Sequence, residues 1–200
     1  LGRLDGRVAI VTGAGQGIGR GIALAYAAEG ATVVVATRGS ASGELVAEEL
    51  ASRGSEGCSF NCDVSDRAAV EHCVAATLSA YDRIDIVVNN AGNAGARMMQ
   101  PCQFRDMPPE QWGPPIDVNL HGVLHTTHAV LPGMCDRGFG RLITIASGAG
   151  VVGLPIGVAP YGAGKAAGIS FMRHMAIENA ALGVTANSIA LGLMEITEVH

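Results

Sequence analysis

Two hundred residues are enough for one domain with a substantial hydrophobic core. The chain is 48% hydrophobic and 16% charged, and its net charge is −5 without any basic run, so an electrostatic surface for nucleic acid is excluded. No apolar run approaches the roughly 20 residues that a membrane-spanning helix requires. We therefore expect neither nucleic acid nor a membrane as a partner.

Short apolar runs alternate with longer alanine-rich segments in chain order. The runs predict six strands, at residues 8–11, 32–36, 59–62, 84–89, 142–146 and 184–189. The segments between them predict helices up to residue 29 and at 44–53, 66–80, 116–136 and 160–182, the fourth of them preceded by a proline-rich segment at 101–115. This alternation predicts a single α/β domain over residues 1–200, with a doubly wound parallel sheet between two helical layers.

A glycine-rich loop, TGAGQGIG at residues 12–19, lies between the first predicted strand and its helix. In this position a dinucleotide pyrophosphate rests on the helix N-terminus. Gly13 would allow the tight turn, Gly17 would let the backbone approach the phosphates, and Gly19 would let helix and strand pack closely. A plain tight turn is the alternative, but the position after the first strand favours dinucleotide binding.

Tyr161 and Lys165 stand four residues apart in the segment YGAGK. On a helix they would lie on one face, one turn apart. The ammonium group would then favour the phenolate form, so that the phenol exchanges a proton with an alcohol or a carbonyl near neutral pH. Taken alone, the pair fits an ordinary surface helix better.

The five cysteines are scattered along the chain, and no CxxC pair is present. The N-terminal residues do not show the pattern of a secretion signal. These features favour reduced thiols in a cytoplasmic protein. A redox pair of Cys58 and Cys62 is the alternative.

Several motifs occur together in a fixed order. The glycine loop has the spacing T-G-x-x-x-G-x-G, NNAG follows the fourth predicted strand at residues 89–92, and Asn119, Ser147, Tyr161 and Lys165 come next. In these motifs nearly the whole chain resembles the short-chain dehydrogenase/reductase family, including its 3-oxoacyl thioester reductases and secondary alcohol dehydrogenases. The resemblance implies a Rossmann-like fold and NAD(P)-dependent hydride transfer to or from a carbonyl or secondary alcohol carbon.

Each of the four residues has an expected catalytic role. By resemblance, Tyr161 is the acid/base, Lys165 also hydrogen-bonds the nicotinamide ribose, and Asn119 holds a water that links Lys165 to solvent. Ser147 follows the fifth predicted strand at the carboxyl edge of the sheet, where its hydroxyl can donate to the substrate oxygen. Taken singly, Ser147 and Asn119 would be a loop serine and a helix-interior residue, but the ordered set indicates an active site.

The cofactor residues follow from the same resemblance and from the end of the second predicted strand. By resemblance, Asp63 hydrogen-bonds the adenine and residues 187–192 close over the nicotinamide. No acid follows the second strand to bind a ribose 2′-hydroxyl; Thr37-Arg38 stands there, and the Arg38 guanidinium can pair with a 2′-phosphate. We therefore expect NADP(H) rather than NAD(H), the alternative being a solvated Arg38 with Thr37 on the ribose hydroxyl. The expected cofactor-binding residues are Gly13, Gln16, Gly17, Ile18, Gly19, Thr37, Arg38, Asp63, Val64, Asn90, Ala91, Gly92, Tyr161, Lys165 and Gly192.

Residues 92–97 and 148–158 are expected to line the substrate pocket, and they are mostly apolar. This character favours a ketone or a 3-oxoacyl group over a highly charged substrate. The alternative function is a catalytically silent NADP-binding sensor or interaction protein, which would need no acid/base group.

His121, His125 and His128 share one face of the helix predicted at 116–136. Few carboxylates lie nearby and hydride transfer needs no metal, so we expect no metal site and interpret this face as packed against another element or a partner subunit. By resemblance, this helix and the one at 160–182 form a homodimer or homotetramer contact. Five small residues would permit close approach there: Ala163, Gly164, Ala166, Ala167 and Gly168.

The chain departs from the family pattern near its C-terminus. Leu191-Gly192 stands where the family usually has Pro-Gly, which would make the turn at the nicotinamide less rigid. Family members usually continue beyond the position of His200 with a substrate loop, a helix and a seventh strand. We therefore expect the chain to be incomplete relative to the family and to lack the last strand of the sheet.

Overall fold

The sheet is built from apolar, β-branched runs that are buried on both faces. A computed structural model describes residues 2–92 and 101–192, and within them a parallel six-stranded sheet has the order β3-β2-β1-β4-β5-β6. Every residue of β1 and β4 is buried, as expected where helices cover both faces of a parallel sheet. The strands are β1 (Val8–Thr12), β2 (Thr32–Thr37), β3 (Gly57–Asn61), β4 (Ile86–Asn89), β5 (Gly140–Ser147) and β6 (Val184–Leu191).

The helices form one layer on each face of the sheet. Successive side chains of a strand point to opposite faces, so Ile10 of β1 joins one core cluster while Ala9 and Val11 join the other. Within residues 2–92 and 101–192, no helix is long and apolar enough to cross a membrane. The helices are α1 (Gly17–Ala28), α2 (Ser40–Ser52), α3 (Arg67–Tyr81), α4 (Gly113–Ile116), α5 (Gly122–Asp136) and α6 (Ala159–Asn179).

The element order, the parallel sheet and the two helical layers are confirmed, and the two clearest differences from the prediction concern helices. α2 begins at Ser40 instead of residue 44. Two serines and a glycine in its first turn are weaker helix formers than alanine, yet these small residues fit closely against the sheet, since a Cβ at Gly43 would lie 2.9 Å from Thr37 Cγ2. Tertiary packing therefore extends this helix beyond what local propensity indicates.

The second difference is a π turn, Asp117–His121, which joins α4 to α5 inside the helix predicted at 116–136. Asn119 lies in this turn, and its Nδ2 donates to the Pro115 carbonyl oxygen at 2.9 Å. A regular α-helical turn would give that acceptor to the Asn119 N–H. The side-chain bond competes for it, which accounts for the wider turn.

A buried carboxylate joins the amino ends of β1 and β4, at the opposite end of these strands from the glycine loop. Asp85 is fully buried, and it accepts hydrogen bonds from Arg83 Nη2 at 2.6 Å, from the Val8 N–H at 3.0 Å and from Arg7 Nη1 at 3.4 Å. Burial opposes ionisation, but the bonds from Arg83 and Val8 outweigh it and hold the pKa of Asp85 below its ordinary value. This cluster ties the start of β1 to the start of β4.

Candidate active site

A cleft of about 380 Å³ opens at the carboxyl ends of β1, β2 and β4. The strand order reverses between β1 and β4, which is where ligands bind in open α/β sheets. All of the expected cofactor residues from Gly13 to Gly92 line this cleft, whereas Tyr161, Lys165 and Gly192 do not. Sequence reasoning missed four of its lining residues: Gly39, Ser42, Cys62 and Val118.

The backbone of the glycine loop lies too close to its neighbours at Gly13 and Gly19 to carry side chains there. Gly13 has φ +64°, and a Cβ there would lie 2.9 Å from the Ala91 Cα. Gly17 has φ +53° with open space around it, as close approach of a ligand to the backbone requires. A Cβ at Gly19 would collide with the Gly13 carbonyl oxygen and would lie 2.5 Å from Asn90 Nδ2. The loop therefore fits a phosphate-bearing ligand held by backbone groups.

Thr12 and Asn90 lock this loop to the end of β4. Thr12 Oγ1 accepts hydrogen bonds from the N–H groups of Asn90 and Ala91, both at 3.0 Å. Asn90 Nδ2 donates to the carbonyl oxygens of Thr12 at 2.9 Å and Gly13 at 3.2 Å. Sequence reasoning gave Thr12 no role, although its place directly before Gly13 is a usable signal.

The far end of the cleft carries polar groups suited to an adenosine. Arg38 Nη1 lies 3.7 Å from Asp63 Oδ2. Ser42 Oγ donates to the Gly39 carbonyl at 3.0 Å, and it would lie 2.5 Å from a Cβ at Gly15. Ser42 was missed because the helix containing it was predicted to begin later.

Lys165 is buried in α6 beside Tyr161. Its Nζ donates to the Ile145 carbonyl oxygen at 2.7 Å and lies 5.9 Å from the centre of the Tyr161 ring. Burial lowers the pKa of Lys165 to about 8. A Cβ at Gly92 would lie 3.1 Å from this Nζ and 3.3 Å from Asn119 Oδ1, so the structure brings Lys165, Asn119 and the NNAG segment together.

Two glycines of α6 allow this convergence. A Cβ at Gly164 would lie 3.2 Å from the Asn119 Cβ, and one at Gly168 would lie 3.5 Å from the Asn119 carbonyl oxygen. The expectation that these two glycines face a partner subunit is therefore wrong, because they pack against the chain's own π turn. Ala163 and Ala166 are the exposed members of the predicted set.

Ser147 ends β5 and caps the short 3-10 turn that follows it. Its Oγ accepts a hydrogen bond from the Ala149 N–H at 3.2 Å. The turn packs on α6, since a Cβ at Gly162 would lie 2.7 Å from the Ala149 carbonyl oxygen. Ser147 is also in register with Leu191 of β6, so this strand end, the Tyr161 turn of α6 and the Leu191-Gly192 segment meet at one edge.

The expected substrate segment at 148–158 is exposed and apolar, while residues 93–97 lie outside the described residues. Val151 is 64% exposed and Ile156 is 55% exposed. The segment lines a second cleft of about 480 Å³ that shares no residue with the first. The walls of this second cleft also include Phe104, Ala163 and Ala166.

Of the three histidines of the predicted metal alternative, His121 and His125 stack with ring centres 6.4 Å apart, but they bond to different partners. His121 Nδ1 is 3.0 Å from Asp117 Oδ1, and His125 Nδ1 is 3.0 Å from the Val64 carbonyl oxygen. In the part of the chain that the structure describes, no group of three His, Cys, Asp or Glu side chains is placed to hold a metal ion. The five cysteines, all at described positions, are free thiols.

The parallel fold, the glycine-lined cleft and the side chains of Tyr161 and Lys165 at its end define a dinucleotide-binding oxidoreductase. Comparison with known proteins places the chain in a family. Residues 7–200 match the short chain dehydrogenase family. The chain is 39% identical over 192 residues to the 3-oxoacyl-[acyl-carrier-protein] reductase of Synechocystis sp., covering 96% of this chain and 75% of that protein. It is 38% identical over 189 residues to the D-beta-hydroxybutyrate dehydrogenase of Cupriavidus necator, covering 94% and 71%. Among solved structures, NAD+-bound xylitol dehydrogenase superposes with a TM-score of 0.91 at 32% identity, covering 96% of this chain and 72% of that one.

The chain therefore belongs to the short-chain dehydrogenase/reductase family, and its activity class is oxidoreductase.

Proposed function

We propose that this protein interconverts a ketone or 3-oxoacyl group and the corresponding secondary alcohol, with Tyr161 as the acid/base. When bound in the glycine-lined cleft, a nicotinamide dinucleotide supplies or accepts the hydride at carbon. The observation that carries the proposal is the burial of Lys165 against Tyr161, Asn119 and Gly92 at the edge where this cleft ends. A binding module could use Lys165 for the cofactor ribose, but it would have no need for an acid/base such as Tyr161 beside it.

The residues divide the proton chemistry among them. In the reductive direction Tyr161 gives its phenolic proton to the substrate oxygen, and the Ser147 hydroxyl donates a second hydrogen bond to that oxygen. With a pKa of about 8, Lys165 is still mainly protonated at pH 7, so it keeps a positive charge 5.9 Å from the centre of the Tyr161 ring. Asn119, held in the π turn, would keep a water that returns the proton from solvent through Lys165.

We further propose NADP(H) as the preferred cofactor. Arg38 lines the cleft beside Ser42, and β2 ends in Thr37 rather than in an acid. A 2′-phosphate would compete with Asp63 for the Arg38 guanidinium, and it would offer the guanidinium a bidentate partner. The shared fold does not select NADP(H), since xylitol dehydrogenase has this fold and is NAD+-bound. The support for NADP(H) comes from Arg38 and Ser42.

The names of two relatives and the apolar segment at 148–158 support a ketone or 3-oxoacyl substrate. NADPH oxidation against ketones, β-ketoesters and 3-oxoacyl thioesters tests this proposal. Tyr161→Phe should lower kcat by about 10²- to 10⁴-fold while the variant still binds the cofactor, and Tyr26→Phe on α1 is the matched control. Cofactor binding without turnover of any of these compounds would favour the silent sensor instead.

A further inference from the structure

His125 of α5 bonds to the loop that follows β3, on the wall of the cofactor cleft. Its Nδ1 lies 3.0 Å from the Val64 carbonyl oxygen, across 61 residues of sequence. A carbonyl oxygen only accepts hydrogen bonds, so Nδ1 carries the hydrogen. This bond links α5 to the short loop between β3 and α3.

The bond acts on a peptide group that also holds the Asp63 carboxylate. The Val64 carbonyl and the Ser65 N–H belong to one planar peptide unit. The Ser65 N–H donates to Asp63 Oδ1 at 2.9 Å, and the Ser65 hydroxyl donates to the same oxygen at 2.6 Å. His125 therefore holds the oxygen of this peptide while Asp63 holds its hydrogen, and rotation of the peptide would disturb both bonds.

α5 holds the Val64 side chain as well. A Cβ at Gly122 would lie 2.6 Å from Val64 Cγ2 and 3.0 Å from its Cβ, so glycine leaves the space that Val64 fills. Gly122 begins α5 directly after the π turn, and His125 lies three residues further on the same face. The loop is thus fixed by packing at one point and by a hydrogen bond at another.

Asp63 and Val64 both line the cleft, and the second carboxylate oxygen of Asp63 faces Arg38 at 3.7 Å. We infer that His125 is a positioning residue for the adenine end of the cofactor: through the Val64–Ser65 peptide it orients the Asp63 carboxylate toward the adenine amino group. This inference rests on the proposed function, because it requires a nucleotide in the cleft.

The test measures binding of ADP-ribose and 2′-phospho-ADP-ribose to the whole chain by calorimetry, without substrate or nicotinamide. His125→Leu and His125→Phe remove the donor, whereas His125→Asn keeps an N–H near the position of Nδ1. The matched control is His128→Leu, on the exposed side of the same helix. We expect Kd to rise about five- to tenfold in the Leu and Phe variants, as loss of one hydrogen bond implies, and to stay within about twofold in the Asn variant and the control.

A second measurement separates positioning from general loosening of the fold. Reduced nicotinamide mononucleotide lacks the adenosine half, so turnover with it should be unchanged in all four variants. KM for the dinucleotide should rise, without a change in kcat, in the Leu and Phe variants only. A wild-type chain that binds neither ADP-ribose compound would overturn the nucleotide site itself. Binding by wild type with no loss in the Leu and Phe variants, or an equal loss in the Asn variant, would overturn only the role of His125.

Discussion

Lys165 Nζ donates to the carbonyl oxygen of Ile145 at 2.7 Å, which ties the lysine of α6 to the strand that ends in Ser147. Ile145 precedes Ser147 by two residues on β5, so one strand positions two of the four expected catalytic residues. The amine reaches this carbonyl only by leaving water. The burial that lowers the pKa of Lys165 thus follows from the same contact that places it in the site.

This burial predicts a pH dependence of stability in the cofactor-free protein. The pKa of Lys165 falls from 10.5 to about 8 on folding, so between these pH values the unfolded chain binds more protons and the free energy of unfolding rises with pH. The rise is at most about 3 kcal/mol, at about 1.4 kcal/mol for each pKa unit. Urea unfolding should show wild type gaining stability relative to Lys165→Met as pH increases from 8 to 10. Parallel curves for the two proteins would contradict a lowered pKa for the buried Lys165 amine.

The proposed role of Arg38 predicts that its replacement lowers activity with NADPH more than activity with NADH. Arg38→Ala should lower kcat/KM for NADPH by about 10- to 100-fold, because a charged hydrogen bond to the 2′-phosphate is lost. kcat/KM for NADH should change far less. Steady-state kinetics with both cofactors measure this, with Arg53→Ala as a control, since Arg53 is exposed on the neighbouring helix end and pairs with Glu49. A wild-type preference for NADH, or equal losses with both cofactors, would show that Arg38 does not bind a 2′-phosphate.

The local parts of the site could be predicted from the sequence because they are read from short motifs. Gly13 was expected in the cleft from its place after the first strand, and Asp63 and Asn90 from the family resemblance. The π turn at Asn119 was not predictable, because it depends on competition between a side chain and the backbone for the Pro115 carbonyl. The contact of His125 with Val64 was equally hidden, since it joins residues 61 positions apart.

The hydrogen bonds of Asp85 predict that its replacement lowers the free energy of unfolding without lowering activity. Asp85→Ala removes the buried partner of Arg83, Arg7 and the Val8 N–H, so it should cost about 3 kcal/mol of unfolding free energy. The candidate active site lies at the carboxyl ends of the strands, whereas Asp85 lies at their amino ends. kcat/KM should therefore be unchanged at temperatures where the variant is folded. Asp106→Ala breaks an exposed pair with Arg105 and should leave stability nearly unchanged. Because the pKa of Asp85 is lowered, its contribution is present above the ordinary carboxyl range and is lost as pH falls through the folded value.

The exposed side of α6 predicts self-association. Ala163 and Ala166 are exposed there, and Ile177, on the same face as Ala166, is 82% exposed. These exposed apolar side chains lie about three helical turns apart along one face, and a second copy of the chain would bury that face. Ala166→Arg places a charge in that contact, so sedimentation velocity should show a dimer or tetramer for wild type and a smaller species for the variant. Glu44→Arg adds positive charge on α2, away from this face, and should leave the wild-type species intact; a monomeric wild type at every concentration would refute the contact.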